Sequence, residues 1–146
     1  MLKKFCRCGK LIEYSKKYCD KCSEKIEQYR KEKSKYYDKY KRNKRSTKFY
    51  NSKEWIKLRT FVLYKYKGLD LYAYYVDKRI VYASHVHHVI EIEDNWDRRL
   101  DINNLIPLSN ENHSKISVLY KKDNKTKQET QELLFNLLER WKNEMG

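Results

Sequence analysis

Four cysteines and four histidines hold most of the chemical potential of this 146-residue chain. Cys6 and Cys8 are separated from Cys19 and Cys22 by ten intervening residues, two close thiol pairs about one hairpin apart. Thiolates at that spacing can close a tetrahedral Zn²⁺ site at Cys6, Cys8, Cys19 and Cys22, with Gly9 giving the tight turn after the first pair. Disulfides are the competing reading. The N-terminus has no apolar run of a secretory signal, which favours a reducing compartment and hence zinc. With four protein ligands the ion would have no open position, so it would staple the fold and do no chemistry. The histidines, His85, His87, His88 and His113, lie elsewhere. Imidazole titrates near neutral pH and also ligates divalent cations, so a histidine cluster can move protons or hold a metal. The bland alternative is that His87 and His88, adjacent on a strand, face opposite ways, one buried and one exposed, without function.

These side chains need elements to carry them. His85 to Ile90 reads as a β segment, and Asn104 to Leu108 as a short second strand. Pro107 cannot donate to a ladder, so that strand must lie at an edge, as in an isolated two-stranded hairpin. Ser109-Asn110-Glu111-Asn112-His113 then suits a helix start, with the helix continuing through Ile116, Leu119 and Tyr120. The unit is strand, long loop, strand, helix. Upstream, a helix is expected from Asn51 or Ser52 to Tyr66, stopped by Gly68, with Trp55, Leu58, Phe61, Val62 and Tyr66 as its apolar face. Leu69–Val76 and Ile80–Ser84 read as a β-hairpin around residues 77–79. Thr126 followed by Glu129 reads as a capping box for a last helix reaching Asn143, which packs through Leu133, Leu134, Leu137, Leu138 and Trp141.

The formal net charge is +14, and it is unevenly placed. Residues 1–48 hold 18 basic and 6 acidic side chains, a net of +12, whereas residues 49–146 hold 16 and 14, a net of +2. From Ser23 to about Arg45 a charged helix is expected, marked only by a narrow stripe of Ile26, Tyr29, Lys33, Tyr36, Tyr37 and Tyr40. Such a rod is either a solvated or disordered extension or an arm that faces a polyanion, and the interleaved tyrosines favour nucleic acid. Arg30, Lys31, Lys35, Lys39, Lys41, Arg42, Lys44 and Arg45 are its candidate DNA contacts. No run approaches the ~20 apolar residues of a membrane span. The expected division is a four-cysteine, zinc-binding knuckle at residues 1–22, a basic helical arm at 23–48 and a third domain at 49–146, in a cytoplasmic protein with no membrane partner.

His88, Asn104 and His113, set within His87-His88-Val89-Ile90, Asn103-Asn104-Leu105-Ile106-Pro107-Leu108 and Asn112-His113, resemble the HNH endonucleases with a ββα-metal site. The resemblance spans about Phe49 to Ile116. The cysteine cluster, the basic Tyr37-to-Tyr40 segment and the Phe49-Tyr50-x-Ser52-x-x-Trp55 entry further resemble small HNH proteins of bacteriophages and prophages, which implies a bacterial host cell. The implied fold is α+β, a small ββα-metal core with flanking helices, preceded by a zinc-binding knuckle and a long basic helix.

The same resemblance implies His88 as general base, His87 and His113 as ligands of a catalytic divalent cation, and Asn104 as the residue that fixes the loop and orients His88, although Asn103 is an alternative. The cation would be Mg²⁺ or Mn²⁺, with Zn²⁺ or Ni²⁺ as further candidates, and the products would carry 5′-phosphate and 3′-hydroxyl ends. Phosphodiester hydrolysis needs a proton acceptor for the attacking water and a cation at the developing charge. His85 is read as a surface residue or DNA contact. Glu91, Asp94 and Asp97 are either metal carboxylates or a solvated acidic loop. Arg98, Arg99 and Lys115 are candidate contacts to the backbone of double-stranded DNA.

Many HNH domains bracket the motif with a structural zinc. The matching positions here are Asp70, Ala73, Ser109 and Asn112, so that zinc is expected to be absent and aromatic packing or helix docking to replace it. Position 117, a histidine in some relatives, is Ser117. The alternatives to a free-standing nuclease are a catalytically inactive DNA-binding or regulatory protein of the same fold, and an accessory factor of a phage packaging terminase.

Overall fold

The computed structural model describes residues 1–40 and 43–146. The chain divides into two compact units, Met1–Thr47 and Lys48–Gly146.

In the first unit, β1 (Lys3–Phe5) and β2 (Leu11–Glu13) form an antiparallel hairpin, with Lys4 opposite Ile12. Gly9 occupies the left-handed region at φ 86° and donates its amide to Cys6 O at 2.8 Å, which closes the turn between the strands. Helix α1 (Asp20–Tyr40) follows. Its start is tied to the hairpin through a small core of Cys6, Ile12 and Cys19. At 1.5 Å per residue the helix is roughly 32 Å long. Tyr29, Tyr36 and Tyr37 are all exposed. The expected helix over 23–45 therefore starts earlier. A separate α2 (Lys44–Tyr50) begins where Asn43 Oδ1 accepts from the amides of Arg45 and Ser46, a capping arrangement that starts a new helix.

The second unit begins within α2, at Lys48, and continues with α3 (Lys53–Lys65). Ser52 caps it, its Oγ accepting from Trp55 N at 3.2 Å and donating to Phe49 O at 2.6 Å. Trp55, Val62 and Tyr66 are buried as expected, but Phe61 is half exposed. The helix ends at Lys67 and Gly68, both in the left-handed region, with Gly68 N donating to Leu63 O.

The hairpin expected at residues 69–84 does not form. One isolated bridge, Leu69 to Tyr82, is all that remains of it, and Ala73–Asp77 is a π-helical turn. The cause is Asp70, whose Oδ1 accepts from Ala73 N at 2.8 Å and so winds the backbone into a turn. Burial of Leu71, Ala73 and Tyr75 on that winding outweighs the β preference of Tyr and Val.

Strands β3 (His85–His88) and β4 (Leu105–Leu108) pair antiparallel, His85 opposite Leu108 and His88 opposite Leu105. Pro107 lies opposite Val86 in this two-stranded sheet, as an edge residue must. Helix α4 (Asn110–Lys122) is capped by Ser109, and α5 (Asn124–Met145) by Asp123. Asp123, rather than Thr126, is the cap: its Oδ1 accepts from Thr126 N at 2.7 Å, and the joint between the helices is that single residue. Leu134, Leu137, Leu138 and Trp141 of α5 enter a core with Trp55, Val62, Leu71, Val89, Leu105, Ile106 and Ile116, while Leu133 stays exposed. Each fully buried aliphatic side chain contributes about 1.5–3 kcal/mol. No described helix is long and apolar enough to cross a membrane.

Candidate active site

His88 ends β3 with its ring held on several sides. Nε2 lies 2.8 Å from Arg99 O. A carbonyl oxygen only accepts, so Nε2 carries the proton and the neutral ring keeps its lone pair on Nδ1. Trp55 stacks on the imidazole with centroids 4.9 Å apart and planes at 24°. Phe49 and Tyr50 meet the same ring at 5.9 Å. Burial lowers the pKa of His88, opposed by the Arg99 carbonyl and the charge of Glu93. The ring is thus neutral, a competent proton acceptor, at ordinary pH.

The carbonyl that orients this ring sits on the loop between β3 and β4, and Asn104 closes that loop. Its Oδ1 accepts from Ile90 N at 2.7 Å and its Nδ2 donates to Ile90 O at 2.9 Å. Asn104 is fully buried, whereas Asn103 is exposed and donates its backbone amide to Asp101 Oδ1. Of the two asparagines, Asn104 makes the clamp.

His87 is buried, and its Nε2 is the one buried side-chain nitrogen or oxygen without a hydrogen-bond partner among the described residues. His113, one turn into α4, meets it edge to face at 5.4 Å. Burial, then the neighbouring His113 and His88, depress the pKa of His87 to about 3; His113 is lowered by burial and by His85. A buried imidazole nitrogen left without a partner, in a neutral ring beside a second imidazole, fits a divalent cation as its missing partner. His87, His88 and His113 all line one open cavity of about 260 Å³, with Tyr50, Glu93 and Lys121 on its walls.

The other candidates are placed differently. His85 stacks on His113 at 4.7 Å and 17°, and its Nε2 lies 3.1 Å from Asn110 Oδ1, so it supports the His113 ring. Glu91 and Asp94 are both bound by Lys127, at 2.8 and 2.6 Å, and Asp97 is exposed. Arg98 pairs with Asp101 at 3.0 Å, and Arg99 lies over the Trp96 ring at 4.8 Å while supplying the carbonyl that holds His88. Lys115 lies over Tyr72 at 5.2 Å.

Asp70, Ala73, Ser109 and Asn112 do converge. The Asp70 carboxylate, fully buried, accepts from Ala73 N, Ser109 N and Asn112 Nδ2, each at 2.8 Å. A hydrogen-bonded carboxylate therefore joins these four positions at the foot of α4, where sequence reading expected aromatic packing or helix docking. That reading also missed the approach of Phe49, Tyr50 and Trp55 to His88; the available signal was the spacing of three aromatics around a helix cap.

In the first unit the four thiols of Cys6, Cys8, Cys19 and Cys22 lie within 4.8 Å of one another, and Cys8 Sγ is 3.6 Å from Cys19 Sγ. A tetrahedron of ~2.3 Å Zn–S bonds has edges of ~3.8 Å, so the four thiols fit that ion. Amide hydrogen bonds from Cys19 and Cys8 lower the pKa of Cys6 to about 6, and the amide of Lys10 lowers Cys8. The neighbouring Cys19 and Cys8 sulfurs, then burial, push Cys22 up to about 12, as crowding of like ionisable groups does. On α1, Arg30, Lys31, Lys35 and Lys39 are exposed, with Lys31 3.1 Å from Glu27. Lys44 and Arg45 are exposed in the first turn of α2, and Lys41 and Arg42 lie outside the described residues.

A scan against protein-family models finds no match, and a search of curated proteins returns no significant one. Among solved structures, the HNH endonuclease of the deep-sea thermophilic bacteriophage GVE2, determined with a manganese ion, matches at 35% identity and a TM-score of 0.50. The match covers 56% of this chain and 88% of that one. A relative matched over nearly its whole length at this identity, together with a two-stranded hairpin and helix that assemble His87, His88, Asn104 and His113, establishes that the chain belongs to the HNH endonuclease family.

Proposed function

We propose that the protein is a metal-dependent endonuclease that hydrolyses DNA phosphodiester bonds, with His88 as general base. The observation that carries this reading is the pairing of an unpartnered, buried His87 Nε2 with His113 on the cavity that His88 also lines.

His87 and His113 would hold the cation, Mg²⁺ or Mn²⁺. Bound there, it would supply positive charge to the scissile phosphate and the leaving oxygen. The chain's own groups do the rest. Arg99 O keeps the His88 proton on Nε2, so Nδ1 takes a proton from the attacking water, and Trp55 limits rotation of the ring. Asn104 holds the loop that carries Arg99. Asp70 anchors the start of α4 through Ser109, which in turn accepts the amide of His113 at 2.8 Å.

Zn²⁺ at the four cysteines would fix the hairpin to the start of α1, and the basic side chains of the arm, from Arg30 to Arg45, would contact phosphates of double-stranded DNA without reading sequence. Four thiolates on one Zn²⁺ remove about two charges from that arm.

A plasmid-cutting assay with Mg²⁺ or Mn²⁺ tests the reading. His88→Ala should cut at least ~10²-fold more slowly than wild type, the scale of a lost general base, and EDTA should stop wild type. Equal cutting by both proteins would remove His88 from the chemistry.

A further inference from the structure

Tyr50 stands beside the one lone pair that the hydrolytic reading depends on. The other ring nitrogen of His88 is committed to Arg99 O, and Trp55 covers a ring face. Tyr50 Oη lies 3.4 Å from His88 Nδ1. That separation is long for a hydrogen bond, whose usual heavy-atom distance to an O–H donor is about 2.7–2.8 Å. It leaves a water no room between the two atoms, yet one water can sit at the apex of a triangle, within bonding distance of both. Tyr50 is about two-fifths exposed and lines the cavity, so that apex opens to substrate.

The phenol is also held in place. Its ring meets Phe49 at 5.2 Å and Trp55 at 5.4 Å, both edge to face. Burial, then the charges of Glu93 and Glu91, push its pKa up to about 12, so at neutral pH the hydroxyl is a donor.

Resting on the endonuclease reading, we propose that Tyr50 is a further catalytic residue, its hydroxyl donating a hydrogen bond to the attacking water while His88 Nδ1 accepts that water's proton. The water then has one lone pair held by Tyr50, one O–H directed at Nδ1, and its remaining lone pair free to face phosphorus. As the new P–O bond forms, the water's proton passes to Nδ1. The P–O3′ bond breaks with its electron pair going to O3′, which takes a proton from solvent. Tyr50 keeps its own proton throughout.

Tyr50→Phe removes the hydroxyl and keeps the ring that packs on Phe49 and Trp55. In steady-state cleavage of a DNA duplex, Tyr50→Phe should lower kcat by about three- to tenfold, the range one neutral hydrogen bond supports, with KM unchanged. A nitrogen-15 spectrum of the full-length protein's histidine rings gives a second readout: the His88 Nδ1 resonance should move in Tyr50→Phe while Nε2 stays. Wild-type kcat in Tyr50→Phe, with His88→Ala inactive, overturns the tyrosine assignment alone. A higher kcat overturns it as well, since the phenol would then only shield the base, and an unmoved Nδ1 resonance removes the contact. Equal cutting by wild type and His88→Ala overturns the base assignment on which this one rests.

Discussion

Asn112 donates its side-chain amide to the carboxylate of Asp70 at 2.8 Å, across 42 residues of chain and with both side chains buried. The same carboxylate takes the amides of Ala73 and Ser109, so one side chain joins the segment after α3 to the cap of α4. Each buried donor left without an acceptor costs about 1–3 kcal/mol. Asp70→Ala, which strands three of them, should lose at least ~3 kcal/mol in urea denaturation, and Asp70→Asn less. All three tryptophans, Trp55, Trp96 and Trp141, lie in the Lys48–Gly146 unit, so their fluorescence follows that unit alone. In buffer without added divalent cation, EDTA should leave that transition in place; a large fall would show that a metal holds this unit together.

His87 carries the opposite signature. Its Nε2 makes no hydrogen bond, so replacing the ring by an apolar side chain of similar bulk removes no hydrogen bond that the metal-free fold uses, only ring contacts that Leu partly replaces. His87→Leu should therefore melt within a few degrees of wild type, or above it, in chelator. Its affinity for Mn²⁺ in a calorimetric titration should fall by more than the ~10–100-fold that even outer-sphere losses produce. A large loss of stability with unchanged Mn²⁺ affinity would make His87 a core residue.

Substitution of Arg30, Lys31, Lys35 and Lys39 together by Gln addresses the arm. If these side chains neutralise phosphates, DNA affinity falls and the slope of log K against log salt flattens by about 0.9 for each contact removed. An unchanged slope would remove these four side chains from phosphate contact and leave it to other basic residues.

How much of this was visible in the residues alone depended on the range of the interaction. Pro107 announced an edge strand, and Ser109 announced the start of α4, because each acts within a few residues of itself. The order His87, His88, Asn104, His113 likewise pointed to strand, loop, strand and helix. Residues 69–84 misled because tyrosine and valine favour strands locally; the Asp70–Ala73 bond that winds them is also local, but the partners Ser109 and Asn112 that hold the Asp70 carboxylate in place come only with distant chain. Asp123 displaced Thr126 as the cap of α5 for a simpler reason: its carboxylate accepts both the amide and the hydroxyl of Thr126, at 2.7 and 3.0 Å, so the Thr126 side chain is engaged inside the cap of Asp123. The stacking of Trp55 on His88 had no local signature, since the two are 33 positions apart and only the core brings them together.

The backbone just past His88 is held from two helices at once. Val89 O accepts from Tyr120 Oη of α4 at 2.7 Å and from Gln131 Nε2 of α5 at 3.1 Å, and Lys127 of α5 grips Glu91 and Asp94 a few residues on. The two helices meet at Asp123 with no flexible linker between them. Stretch, helix and helix thus form a braced triangle whose corners cannot move singly. A cleft built on such a frame is preshaped, and if the proposed duplex substrate enters it, the strain of fitting falls on the substrate.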